Sequence, residues 1–581
     1  MARNPAAPTA MLASSEPHET DPRRWIVLGV VLTASFMVLL DISIVNVAIP
    51  SVQRDLNASY AQIQLVIALY SMAYALLLIT GGRLGDIFGR KRLFMIGMGG
   101  FTLASALCGF AQSPEMLIAS RVLQGGMAAL MYPQVLAQIQ VTFPPRERPA
   151  AFAILGTIIG LATITGPLLG GLLIQGDILG LQWRPIFLVN LPVGIGSVTA
   201  AAFLLHESRA PQATKLDPIG VALVSAALFM LVYPLIEGRD AGWPLWAYVS
   251  MVASLPVFVV FLVYERAKTR RDDSPLVDMR LFQDRGYLAG IFIGMAFFSG
   301  IGSFFLVFSL YLQIGLGFSA LEAGLTTLPF ALGSFIASAA SARLAGRLGR
   351  RILSLGSVVI ALGIVGVIWT IRLAGVDIKG YDLAPALFVC GIGLGFTIAP
   401  LLNVILAGVD RAMAGSASGV FSTVQQVGAA MGIALIGVIY FGQIGGGADT
   451  ASAAVAPRLR AEVATLGLPA AVADRVVAAF TVCFHDRANE KDPTVVPDSC
   501  RAAQHLALPA GGGASQAQVA AAGAAIGRVA AAEATRALKV DFSDAVQRSL
   551  LFNLAVFALT FFLVPFLPNP RRGAQGAPGG H

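Results

Sequence analysis

The sequence predicts an all-α polytopic membrane protein, and three observations carry that prediction. Hydrophobic residues make up 56% of the 581 and charged ones 12%, with a mean hydropathy of +0.75, too apolar for an ordinary soluble domain. Apolar windows of about 20 residues, the length that crosses the hydrocarbon core of a bilayer, recur about fourteen times. The lysines and arginines fall in short runs between those windows, as they do where charge sets helix orientation. A net charge of +8 therefore builds no basic stripe or aromatic-studded patch, which argues against nucleic acid and for the lipid bilayer as partner.

In chain order the windows are 25–49, 61–81, 93–112, 115–137, 149–174, 185–205, 217–236, 246–264, 288–313, 323–342, 353–373, 384–408, 416–441 and 548–567. With the N-terminus inside, the short inner segments collect Arg83, Arg90, Lys91, Arg92, Arg266, Lys268, Arg347, Arg350 and Arg351 among others, whereas the short outer loops hold Arg54, Arg184, Arg239, Arg372 and Lys379. Both termini are thus expected on the cytoplasmic face of the cell (inner or plasma) membrane.

The expected divisions follow. Residues 1–21 form a disordered tail and 22–205 a six-helix bundle; 206–286 supply two extra helices and a cytoplasmic linker. Residues 287–441 give five helices of a second bundle, 442–547 an extracytoplasmic helical insertion, 548–567 the last crossing and 568–581 a short tail. Cys483 and Cys500 both lie in the insertion, where an oxidising compartment suits a disulfide; two unpaired thiols are the other reading.

Asp41 stands alone in the first apolar stretch, with no compensating charge nearby in sequence. A carboxylate at membrane depth costs several kcal/mol unless paired, hydrated or protonated, so it marks a path for something polar. Arg121 is its candidate partner. At about 1.5 Å per residue the two lie roughly 12 and 9 Å below the outer surface, close enough to meet. The remaining polar span residues Asn46, Tyr74, Gln124, Gln134 and Gln425 are candidates for lining a substrate cavity, with interhelical bonding as the alternative.

Between the second and third windows lies Gly82 to Arg92 (GRLGDIFGRKR), where Gly82 and Gly89 permit tight turns and close helix approach, Asp86 can pair with an arginine or meet a helix N-terminus, and Arg90 and Lys91 hold the loop at headgroups. A weaker echo, Ala342 to Arg351 (ARLAGRLGRR), follows a helix in the second half, with Gly346 in place of the acid. One loop repeated in two halves is the mark of a duplicated transporter bundle.

These residues resemble the major facilitator superfamily. The loop from Gly82 is similar to that family's signature, Leu117 to Ala129 (LIASRVLQGGMAA) to its fourth-helix pattern, and Gly156 to Gly171 (GTIIGLATITGPLLGG) to the fifth-helix pattern of its antiporters. Leu40 to Pro50 (LDISIVNVAIP) and Trp183 to Pro192 (WRPIFLVNLP) resemble the fourteen-helix EmrB/QacA-type drug:proton antiporters. The resemblance covers roughly 22–441 and 548–568 and leaves out the insertion. It implies two six-helix bundles plus two central helices, and proton-coupled export of lipophilic, cationic or neutral compounds by alternating access. Asp41 and Arg121 would couple to the proton, the Gly82–Lys91 loop would gate, and Gly156, Gly160, Gly166, Pro167 and Gly170 would form a sealing helix face; ordinary small-residue packing is the alternative for that face.

No Gly-Lys pair is present for a phosphate-binding loop, and the histidines form no metal-ligand spacing, so neither an enzyme, a cofactor nor a metal is expected. The partners are a small-molecule substrate and protons; a periplasmic adaptor protein is left open. Two other readings stay alive: an exporter or importer of one metabolite, and a transport-inactive sensor or assembly protein acting through its outer insertion.

Overall fold

The computed structural model describes residues 22–567 apart from 59, 211–215, 239–240, 273–274, 408, 411–412, 467, 491–494 and 505–515. Both expected tails lie outside the described residues, as do the side chains of Asn46 and Pro167.

Among the described residues, seventeen α-helices follow in order. The first half holds α1 (Arg24–Asp55), α2 (Tyr60–Phe88), α3 (Arg90–Gly109), α4 (Pro114–Thr142), α5 (Arg148–Gln175), α6 (Pro185–Leu188) and α7 (Asn190–Leu204). A pair follows, α8 (Pro218–Glu237) and α9 (Leu245–Asp272). The second half holds α10 (Arg285–Leu310), α11 (Ala320–Leu348), α12 (Arg351–Ala374), α13 (Ala384–Ala407) and α14 (Ala414–Ala464), then α15 (Ala470–Asn489), α16 (Asp498–Gln504) and α17 (Gln516–Leu563).

Twelve of these helices, among the described residues, are long and apolar enough to cross a membrane, against about fourteen predicted windows. The two predicted crossings outside that set are α4, which carries Glu115, Arg121 and four glutamines, and α5, a 28-residue helix with no charge after Arg148. Helix α4 packs on α2 and α3 inside the first half, whereas α5 lies between the halves, on α1 at one side and on α11 and α13 at the other.

Local chemistry explains many of the starts. Ser113 accepts the Met116 N–H at 3.2 Å ahead of Pro114, and Asp284 accepts those of Gly286 and Tyr287 at 2.6 and 2.9 Å, satisfying donors that an unfinished first turn leaves bare. Glu322 completes a capping box with Ser319, so its carboxylate is occupied by the start of α11. Helix α9 is the most peripheral: 17% of its apolar window is buried, and Val252, Leu255, Val259 and Val263 form an exposed stripe at helical spacing that only lipid would match. Its partner α8 leans on α2 and α14.

The insertion grows out of the bundle. The sequence ends one crossing at 441 and starts a separate helical run near 453, yet α14 continues unbroken for 51 residues, about 75 Å at 1.5 Å per residue, more than twice the hydrocarbon thickness. The glycines at the junction permit close neighbours instead of breaking the helix: a methyl on Gly445 would lie 2.5 Å from Asn489 Oδ1, and one on Gly447 2.5 Å from Asp541 Oδ1. Beyond it, Val455, Leu459 and Val463 of α14 pack with Val472, Val476 and Phe480 of α15 and Ala537 of α17 in a small core. A disulfide between Cys483 and Cys500 ties α16 to α15.

Candidate functional site

Asp41 sits near the middle of α1, wholly buried, and faces the inside of the first half. Its Oδ2 accepts from Arg121 Nη1 at 2.5 Å, and its Oδ1 from Gln124 Nε2 at 2.8 Å and Asn190 Nδ2 at 3.5 Å. Arg121, 2% exposed, also donates to Gln124 Oε1 at 2.6 Å and to the Val66 carbonyl at 3.2 Å, and its guanidinium lies 3.9 Å over the Tyr70 ring. Gln124 donates further to Ser105 at 2.7 Å, which Asn190 reaches at 3.3 Å. Five helices thus converge on one ion pair. A charge removed from water needs an opposite charge and filled hydrogen bonds, and this cluster supplies both. Two polar atoms beside it, Tyr70 Oη and Asn190 Oδ1, make no bond within the protein.

The second constellation lies where the arginines gather. The segment Gly82 to Phe88, expected as part of a loop, is the last two turns of α2; only Gly89 leaves the helix, at φ 111°. The glycines serve approach more than turning. A methyl on Gly82 would meet the Gly415 carbonyl oxygen at 2.3 Å, so α2 touches α14 backbone to backbone. That contact delivers Asp86 to the start of α14, where its carboxylate accepts the N–H groups of Gly415 at 3.1 Å and Ser416 at 2.9 Å and pairs with Arg90 at 2.7 Å. An acid at a helix N-terminus satisfies bare donors and meets the favourable end of the dipole. Nearby, Gln140 of α4 donates to the Leu406 carbonyl of α13 at 2.5 Å, so the described residues bond the halves at two places at this end.

Gly89 and its neighbours also hold the end of α7: the Arg90 N–H donates to the Ser208 carbonyl at 3.0 Å, and Lys91 Nζ to that of Ala202 at 2.6 Å. The second copy repeats this form. Gly349, at φ 57°, separates α11 from α12, and Arg350 donates to the carbonyls of Pro565 and Leu567 after α17 at 2.7 and 2.5 Å. What the second copy lacks is the acid, and with it the interhalf cap.

The small-residue face of α5 divides. Gly156 and Gly160 look across the halves, where added methyls would lie 3.0 Å from Ile398 and 3.3 Å from Ser334. Gly166 instead faces α1, where an added methyl would lie 1.9 Å from Ser43 Oγ, so it packs within its own half. Gly170 is buried.

A family model, the Major Facilitator Superfamily, matches residues 31–433. The chain belongs to the major facilitator superfamily. It is 41% identical over 95% of its length to 93% of the probable actinorhodin transporter of Streptomyces coelicolor, and 33% identical over 73% of its length to 77% of the tetracenomycin C resistance and export protein of Streptomyces glaucescens. The first match leaves too few residues over to exclude the insertion. Among solved structures, the human organic anion transporter MFSD10 superposes with a TM-score of 0.54 at 16% identity, covering 72% of this chain and 94% of that one, a likeness of fold.

Within this major facilitator chain, several cavity candidates do other work. Gln124 belongs to the Asp41 cluster. Gln134 gives its amide to the Gly81 carbonyl at 2.8 Å and braces α4 against α2. Tyr74, 3% exposed, stands in a column between the rings of Tyr70 and Tyr132, and Gln425 is buried in α14. Two cluster members escaped the sequence, Ser105 and Asn190. Asn190 ends the WRPIFLVN run, whose Trp183 and Arg184 bond Asp55 at 3.0 and 2.8 Å and fix that segment against the end of α1.

Proposed function

We propose that this transporter exports lipophilic compounds in exchange for protons by alternating access, with Asp41 as the exchanging group and the arginine-rich end on the cytoplasmic side. One observation supports it most: a carboxylate wholly buried in the first half, held by Arg121, Gln124 and Asn190. An ionised Asp41 binds Arg121; a protonated one releases it, so gain and loss of one proton switches which helices are cross-linked. Asp86 at the start of α14 is the gate, holding the halves together at one end while the other is free to admit or release substrate.

Energy comes from the ion gradient. Exchange of one proton for one monocation moves no net charge, so the roughly 2.3 kcal/mol per charge per 100 mV would not contribute and the pH difference drives the cycle. The names of the relatives, an actinorhodin transporter and a tetracenomycin C export protein, favour antibiotics or similar secondary products as substrates. Export of one such product is the second reading, supported by the 95% match to a relative named for a single compound.

A susceptibility panel in a pump-deficient bacterial host, run beside Asp41→Asn, tests both. Broad protection by the wild type that is lost in the variant supports multidrug export; protection against one compound supports the narrower reading; equal protection by both proteins removes Asp41 from the mechanism.

A further inference from the structure

The pair α8 and α9 carries two carboxylates that the transport cycle above does not use. Asp217 and Glu265 are 1% and 0% exposed. Asp217 begins α8, its Oδ1 accepting the Gly220 N–H at 3.1 Å and the Tyr264 hydroxyl at 2.9 Å. Glu265 Oε2 accepts the Val277 N–H at 3.0 Å. The second oxygen of each, Asp217 Oδ2 and Glu265 Oε1, makes no hydrogen bond within the protein. Both converge on one point: a methyl on Gly220 would lie 2.9 Å from the first and 2.3 Å from the second.

Two ionised carboxylates with bare oxygens crowding one buried space repel each other and have lost their water. A single proton between them removes one charge and turns the repulsion into an O–H···O bond. The groups that act on the pair are Arg83 from α2, Tyr264 from α9, which itself has Lys268 beside it, and the backbone of Leu276 and Val277 in the linker before α10; α14 meets that linker through the uncharged Ser416. Arg83 acts on Asp86 as well, so its charge is shared between the gate and the pair.

The pair also reaches the gate through contacts. Val277, held by Glu265, follows Leu276, whose carbonyl accepts the Ser416 hydroxyl at 3.3 Å, and the Ser416 N–H donates to Asp86 at 2.9 Å. We infer that Asp217 and Glu265 form a second proton-binding site, which holds one proton, shared between Glu265 Oε1 and Asp217 Oδ2, while the Asp86 gate is closed and gives it to water when α14 leaves α2. Its place in a transport cycle rests on the reading above; its chemistry does not. Low pH therefore favours the closed gate independently of Asp41, and one proton changes the closed-to-open ratio by at most about tenfold per pH unit.

The test uses the full chain in lipid nanodiscs, with spin labels on cysteines replacing exposed Arg92 and Arg351, beside the two loops. Cys108 and Cys390 are buried and Cys483 and Cys500 are bridged, so the native sulfurs stay unlabelled. All proteins carry Asp41→Asn, which silences the first site, and no substrate is needed, so a negative result leaves the export reading standing. The expected result is a closed fraction that falls as pH rises, and a pH dependence lost in both Glu265→Gln and Asp217→Asn; either variant suffices if the other does not assemble. A pH dependence unchanged by either substitution, or none in the parent, overturns the inference. So does a closed fraction that responds to sodium or magnesium at constant pH, which would make the pair a metal-cation site.

Discussion

An ion pair with both partners almost wholly buried contributes little net stability, because desolvation of two charges offsets most of their attraction, but losing one partner strands the other. Asp41 and Arg121 therefore respond unequally to substitution. Asp41→Asn keeps size and one acceptor and leaves an arginine still bonded to Gln124 and Val66; the expected outcome is a folded protein with an unfolding temperature near wild type and at least tenfold less pH-driven export. Arg121→Met leaves the Asp41 carboxylate without its counter-charge at membrane depth, and a loss of about 3–5 kcal/mol is expected where the acid stays ionised, read as reduced thermal stability in detergent at alkaline pH that recovers as the acid takes a proton at low pH. Equal stability of the two variants would contradict the pairing as described. Asp41 and Arg121 were legible because a charge in an apolar stretch stands out against its cost. Ser105 and Asn190 were not, since a hydroxyl or amide in a helix carries little penalty and looks the same whether it bonds a neighbour or a site.

At the level of helices, glycine contacts decide which elements can part. Gly82 against the Gly415 carbonyl, with Asp86 at the start of α14, makes one interhalf seam out of missing side chains and one cap. Gly82→Leu should hold the seam open and Asp86→Asn should weaken it while sparing the fold. Both are expected to raise labelling of a cysteine placed at Ser416, with Gly82→Leu the larger effect; protection equal to wild type in the leucine variant would show that the seam is not closed by this contact. The sequence singled out residues that the fold places at this seam but expected a loop where α2 continues, because a Gly/Arg-rich string reads as a turn when nothing says what lies across from it. The α5 glycines show the same limit. Spacing identified a flat face, but which of its glycines look toward α11 and which toward α1 depends on partners hundreds of residues away.

For the whole molecule, the duplicated half was legible from two loops, and the repeat extends to their task of holding the ends of α7 and α17. The insertion was legible as helical and disulfide-capable, but its continuity with α14 and α17 was not, since packing on α15 overrides the glycines between 442 and 447. The bridge between Cys483 and Cys500 closes a short loop of 17-residue separation, so Cys483→Ser should cost the insertion about 2–4 kcal/mol while leaving export unchanged. A differential melt by hydrogen exchange reads the first, drug flux the second; export that falls with the bridge would tie the insertion to transport directly.

The account depends above all on proton exchange at Asp41, and counting protons in sealed liposomes measures it most directly. An outward substrate gradient imposed without any pH difference should drive a substrate-dependent counterflow of protons through the wild type and none through Asp41→Asn, although both proteins insert equally. Proton counterflow of wild-type size in the variant would contradict the account.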